Sequence, residues 1–201
     1  GDVKYKDLTG EGEVTPGAST LENHGDLKRI GNNSPRYRVG LNLDAAWKGI
    51  DFSIFFQGVL KRDWMFDAGD PYFWGAGSGM WQAACFEEHM DYWTPENTDA
   101  YYPKPYFNET KNQQAQDAYM QKASYLRCKN IQLGYTLPTH ITEKAGISNC
   151  RIYLSCDNLF TITGLSSVYD PEVFGSYDGY GTSGKTYPLQ RTISVGVNLN
   201  F

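Results

Sequence analysis

The residues with the most chemical potential open the chain. Asp7-Leu8-Thr9-Gly10-Glu11-Gly12-Glu13 carries side-chain oxygens on alternate positions, Asp7, Thr9 and Glu11, followed by a glycine for a sharp turn. That is the layout of a calcium loop. Thr9 and Glu11 stand where Asn or Asp is usual, and no Glu closes the loop, so a plain polar turn accounts for the same residues. Calcium is the ion this pattern would suit, and no cofactor is otherwise required. Glu87-Glu88 and the pair Asp67 and Asp70 supply the two carboxylates that glycoside hydrolysis needs, but nothing places one in an apolar pocket beside the other. His24, His89 and His140 lack metal-ligand spacing. With no P-loop, dinucleotide fingerprint or Ser/His/Asp arrangement, the expectation is that no residue is catalytic and the chain is not an enzyme.

A second group could act by contact. The stretch 60–124 is dense in aromatic residues, among them Trp64, Trp74, Trp81, Trp93, Tyr101 and Tyr102. Large aromatic surfaces stack on sugar rings or bury a protein partner. Long ordered loops also pack a small core of their own from such residues. We expect most of them to pack and a few to touch a substrate or partner.

Composition sets the frame for these groups. The 201 residues carry a net charge of -5, which gives no basic footprint for nucleic acid. The four cysteines, Cys85, Cys128, Cys150 and Cys156, are too sparse for a disulfide scaffold and read mainly as unpaired small apolar residues, with a bridge among them as the alternative. No run approaches a transmembrane helix, and mean hydropathy is -0.53. A membrane barrel remains open, because only alternate residues of its strands face lipid.

Five segments alternate apolar and polar residues with a period of two: Tyr37 to Trp47, Ile50 to Gly58, Tyr125 to Leu137, Cys150 to Phe160, and Arg191 to Phe201. In the third, Arg127 and Lys129 fall in the apolar phase. In the fifth, Ile193, Val195, Val197, Leu199 and Phe201 alternate with polar or small residues without exception. Each segment approaches the ~9–11 residues of a tilted strand crossing a bilayer. Periodicity fits a β-sandwich as well. The connections favour a barrel, since they alternate short and long: Lys48-Gly49, then 60–124, then 138–149, then 161–190. Trp47, Tyr135 and Phe201 fall at one end of the strands in the apolar phase, as an interfacial girdle would. We therefore expect an all-β chain of antiparallel strands from a large transmembrane β-barrel with long extracellular loops. Its parts are 1–35, the end of an extracellular loop; 36–59, a hairpin; 60–124, a long extracellular loop; 125–160, a strand pair with a periplasmic turn; 161–190, an extracellular loop; and 191–201, a terminal strand. Five strands cannot close a barrel or leave an open edge in lipid, so other strands must complete the sheet.

Blocks spread along the chain resemble the SusC/RagA family of TonB-linked outer-membrane transporters. They are Gly1-Asp2-Val3-Lys4-Tyr5-Lys6-Asp7-Leu8, Ile30-Gly31-Asn32, Phe55-Phe56-Gln57-Gly58, Tyr92-Trp93-Thr94-Pro95-Glu96-Asn97, Ser124-Tyr125-Leu126-Arg127, Lys129 to Tyr135, Asp157-Asn158-Leu159-Phe160-Thr161, Tyr169-Asp170-Pro171-Glu172 and Arg191 to Phe201. Thr9-Gly10-Glu11-Gly12 stands where the family often carries Asn-Gly-Asp-Gly. The resemblance implies the C-terminal part of a pore component that imports oligosaccharides or peptides. It implies as partners the remaining strands and plug of that transporter, a SusD-type surface lipoprotein, TonB through a region outside this chain, and membrane lipid. It places the loops at the cell surface of the outer membrane and Phe201 in the periplasm as an assembly signal. A glycan-binding surface β-domain using the aromatic loop is the alternative.

Overall fold

Lys48 and Gly49 both adopt positive φ, 47° and 86°. This is the type I′ geometry, whose twist matches that of the strands it joins. The turn sets β1 (Arg38–Trp47) against β2 (Ile50–Val59) in register from Trp47↔Ile50 to Arg38↔Val59. The computed structural model describes residues 1–78, 84–173 and 186–201. A two-residue strand, β3 (Asp63–Trp64), follows β2, and then come β4 (Gln121–Thr136), β5 (Asn149–Asp157), β6 (Thr161–Gly164) and β7 (Thr192–Asn200). The long strands pair antiparallel in the order β1-β2-β4-β5-β7, so each pairs with its neighbours in sequence.

The register assembles the apolar positions into rows. Trp47, Ile50, Tyr135, Ile152 and Val197 lie side by side across five strands. Ala45, Phe52, Leu133, Leu154 and Val195 form the next row, and Leu43, Ile54, Ile131, Cys156 and Ile193 the third. This apolar band stays open, with Val195 75% exposed and Trp47 68%. Along β1 and β7 only Val39 and Gly196 are even half-buried. Among the described residues no second sheet covers either face, and β1 and β7 each pair along one edge only. The architecture is the barrel segment that the alternation predicts; a sandwich would have buried one face.

Three departures from the expected elements have local causes. Arg127 and Lys129 do not face the apolar side. The β2–β4 register shifts between Phe55↔Asn130 and Phe56↔Cys128, leaving Lys129 as the extra residue of a β-bulge. The bulge changes the phase, so Leu126 and Cys128 join the apolar rows and Arg127 pairs with Gln57 on the polar face. The fourth strand does not run straight to Phe160. It stops at Asp157, Asn158 turns through φ 50°, and β6 resumes pairing with β4 from Arg127↔Thr161, inside the stretch expected to be loop. β4 correspondingly begins at Gln121, four residues before the expected start. In the connection after β4, a short helix α1 (Thr139–Thr142) and a 3-10 turn at Glu143–Ala145 end on Gly146 at φ 72°. All four cysteines are free.

The chain divides into two compact units. The sheet unit comprises Asn33–Asp63, 121–173 and Tyr187–Phe201. The loop unit includes Gly1–Asn32 and Trp64–Met120 and has its own aromatic core. Among the described residues no helix is long and apolar enough to cross a membrane.

Candidate functional site

The polar face of the sheet is built by cross-strand contacts. Arg151 on β5 reaches over β4 to Asp51 on β2, donating from Nε to Oδ1 at 2.9 Å and from Nη2 to the second carboxylate oxygen. A terminal nitrogen also donates to Gln132 Oε1 at 3.1 Å. This crossing needs Gly134 beneath it, because a Cβ there would meet the Arg151 guanidinium and both Asp51 oxygens. The guanidinium also lies 4.9 Å from the centroid of the Tyr153 ring, which itself covers Gly196 on β7. Asn130 donates to Asp157 at 2.7 Å, and Asn42 donates to Asp44. Contacts of this kind tie the polar side chains of this face to one another.

Nearer the loop end of the sheet lies a buried ion cluster that the alternation gave no reason to expect. Arg127 spends its whole fork: Nε donates to Thr161 Oγ1 at 2.7 Å, Nη1 to Glu172 at 2.9 Å and Nη2 to Asp170 at 2.7 Å. Lys129 donates to Glu172 at 3.1 Å. The Arg127 and Asp170 side chains are only 5% and 6% exposed. Asp170 also accepts the backbone N–H of Glu172 at 2.9 Å and of Leu189 at 3.0 Å. The bulge at Lys129 supplies the geometry, since it puts both cations on the polar side. The signal in the sequence was two cations breaking the apolar phase of one strand and two carboxylates spaced by a proline in Asp170-Pro171-Glu172.

In the loop unit the expected contact residues divide. Trp74 and Tyr102 are each 6% exposed and belong to the core. Phe73 stacks on Phe66 with centroids 4.6 Å apart and meets Trp74 edge-on at 4.8 Å; Trp74 meets Tyr119 at 5.0 Å. Burial pushes the Tyr119 hydroxyl up to about 12 and the Tyr102 hydroxyl further still, so both stay protonated. Tyr101 is 41% exposed while packing edge-on against Tyr102 and Tyr119. Trp64 and Trp93 are half-buried. Trp81 lies outside the described residues.

His89 and Asp70 serve this core. His89 Nδ1 accepts the Phe86 N–H at 3.0 Å, so the ring proton sits on Nε2, 3.1 Å from the Phe73 carbonyl. Asp70 is buried and caps a turn by accepting the N–H groups of Tyr72 and Phe73. Glu87 and Glu88 sit in the first turn of a 3-10 helix, Glu87–Met90.

Of the candidate calcium residues, Asp7 is turned toward backbone and Thr9 toward carboxylates. Asp7 accepts the N–H groups of Gly10 at 2.5 Å and Gly12 at 2.8 Å, along with the Thr9 hydroxyl at 3.2 Å. Asp26 accepts from the N–H groups of Leu8, Thr9 and Thr15 at 2.6, 3.0 and 2.7 Å. Glu11 is exposed. Among the described residues no group of three or more His, Cys, Asp or Glu is arranged to hold a metal. The carboxylates of Asp7 and Asp26 together bind five backbone N–H groups of this stretch. Phe201 lies one residue beyond β7 and is 87% exposed.

No protein-family model matches the chain. Curated relatives do match along its whole length. TonB-dependent receptor P3 of Formosa agariphila is 29% identical over 208 residues, covering 100% of this chain and 19% of the receptor. TonB-dependent receptor P26 of the same organism is 26% identical over 209 residues, covering 100% of this chain and 20% of the receptor. The chain thus spans about a fifth of the length of the curated relatives it matches. Among solved structures, the RagAB peptide importer in its open-open state superimposes with a TM-score of 0.56 at 26% identity, covering 84% of this chain and 17% of that one. A structure of the RagAB peptide transporter gives 0.53 at 26% identity, covering 81% of this chain and 17% of that one. With its antiparallel sheet and its likeness to TonB-dependent receptors from end to end, the chain is similar to a segment of these receptors and of the RagAB importer.

Proposed function

We propose that this chain supplies five consecutive wall strands and the cell-surface loops of a TonB-dependent outer-membrane importer of oligosaccharides or peptides. The observation that carries the reading is the sheet itself: an uncovered apolar band on one face, a cross-linked polar wall on the other, and open edges at β1 and β7. Such a sheet is stable in lipid only when further strands pair with both edges. The Lys48-Gly49 turn and the α1 connection then lie in the periplasm with Phe201. The loop unit and the stretch after β6 lie outside, where a SusD-type lipoprotein would meet them. TonB contact belongs to a region beyond this chain. Barrel-borne import is the role proposed for these residues, and no catalytic step is assigned to them.

The test is fractionation followed by uptake. The protein should sediment with outer membrane, require detergent for release, and support substrate entry that stops when TonB is removed. Release by salt alone would refute the membrane placement, and uptake unchanged without TonB would refute the energised mechanism.

A further inference from the structure

The loop unit contains a cavity of about 330 Å³. Its wall is formed largely by Trp74, Met90, Tyr92, Tyr102, Pro103 and Pro105. This is at the small end of ligand sites, with room for one or two side chains. The Gln113 and Asn112 amides and the His89 imidazole on this lining are already committed. The Gln113 amide accepts the Gly69 N–H at 2.6 Å and donates to the Gly77 carbonyl at 2.6 Å. The Asn112 amide accepts the Val3 N–H at 3.0 Å and donates to Asp2 at 3.2 Å. His89 is held at both nitrogens. Those three groups are closed to a sugar's hydroxyls, which would lose water against them without gaining partners. Two exposed charges of opposite sign, Lys104 and Glu109, also belong to the lining.

We propose that this cavity is a subsite for one apolar side chain, of about leucine size, from a short peptide. Lys104 and Glu109 complement the carboxylate and ammonium ends that a short peptide carries. The assignment rests on the importer reading and narrows it to peptides at this site.

The probes are the tetrapeptide Ala-Leu-Ala-Ala, its Ala-Asp-Ala-Ala analogue and maltotetraose, titrated by calorimetry against the assembled barrel in detergent. Ala76 lies on the cavity lining and is exposed, so Ala76→Trp fills the space from outside the core. Met90, 66% exposed, becomes charged in Met90→Asp. The leucine peptide should bind, its aspartate analogue and maltotetraose should not, and each variant should weaken the leucine peptide at least tenfold while the barrel melts as the parent does. Absent binding of the leucine peptide, an affinity unchanged in both variants, or maltotetraose binding that Ala76→Trp abolishes would each overturn the subsite. TonB-dependent uptake is measured alongside. Binding as expected with no energised uptake would refute the importer reading and leave the subsite standing; energised uptake with unaltered affinity in both variants would do the reverse.

Discussion

Replacing Arg127 by Met should release the segment after β6 from the sheet without stopping barrel assembly. Arg127 is bonded at three nitrogens, and its side chain and that of Asp170 are 5% and 6% exposed. Removing one member of a buried ion pair leaves the other charged and unsolvated, at a cost of roughly 3–5 kcal/mol. Lys129 stays on Glu172 in the variant, so the uncompensated charge is mainly that of Asp170. Asp170 also holds the Leu189 and Glu172 amides, which gives a direct readout. Their hydrogen exchange in the assembled barrel should accelerate by about two to four powers of ten if the whole cost is felt locally. Arg127→Lys should recover only part, since an ammonium cannot span Thr161, Glu172 and Asp170 at once. Adding Asp170→Asn to Arg127→Met removes the orphaned charge and should slow exchange at Leu189 again. If Arg127→Met leaves exchange at Leu189 and Glu172 unchanged in a correctly assembled barrel, the cluster is not what holds this segment.

Three further outcomes follow from the geometry. Lysine at Val197, in the apolar rows, should cost roughly 2–4 kcal/mol of barrel stability near the membrane midplane, and lysine at Asn198 little; equal yields of heat-modifiable barrel for the two variants would contradict the facing assigned to β7. Asp26 is held at about 2, chiefly by the Thr15 N–H and then by those of Leu8 and Thr9. Its folded value lies below the ordinary 3.8, so its contribution is complete above that pH and is lost as pH falls through about 2. Exchange at the Leu8 and Thr15 amides should therefore rise over that window in the parent and already be fast at pH 7 in Asp26→Asn; a pH-independent parent would refute the assignment. Deleting Phe201 should leave exported protein unassembled in the periplasm, and an unchanged insertion rate would remove the assembly role from this residue.

The wall was legible in the sequence because one rule, alternation against a half-polar environment, acts on nearly every residue of β1, β2, β5 and β7. It failed at Lys129, where a single extra residue shifts the phase. From sequence alone this looks like two cations on a lipid face, and only the register Phe56↔Cys128 shows otherwise. β6 was hidden for a related reason. Asn158 takes a left-handed turn, which breaks the pattern just where pairing resumes. The loop unit has no period to read. Its aromatic density announced a core or a contact surface, but placing Trp74 and Tyr102 inside depended on contacts such as Phe73–Tyr102 and Trp74–Tyr119 that join distant positions. Asp7 and Thr9 share the spacing of a cation loop, and the same spacing lets the Asp7 carboxylate accept the N–H groups of its own turn.

The strand order has a kinetic consequence. Since each long strand pairs with the long strands next to it in sequence, the wall can grow as a zipper, each new strand templated on the open edge left by the last. Of the four connections between these strands, two are short and the one from β5 to β7 is of intermediate length, but β2 and β4 are separated by residues 60–120. Zippering must wait at that seam until the intervening chain has reached the far side and begun to order. A loop of that length adds only slowly growing closure entropy, so the delay falls on rate far more than on final stability. Substitutions in the loop core would then surface as slow biogenesis and stalled, protease-sensitive intermediates, even where the finished wall is as robust as the parent's.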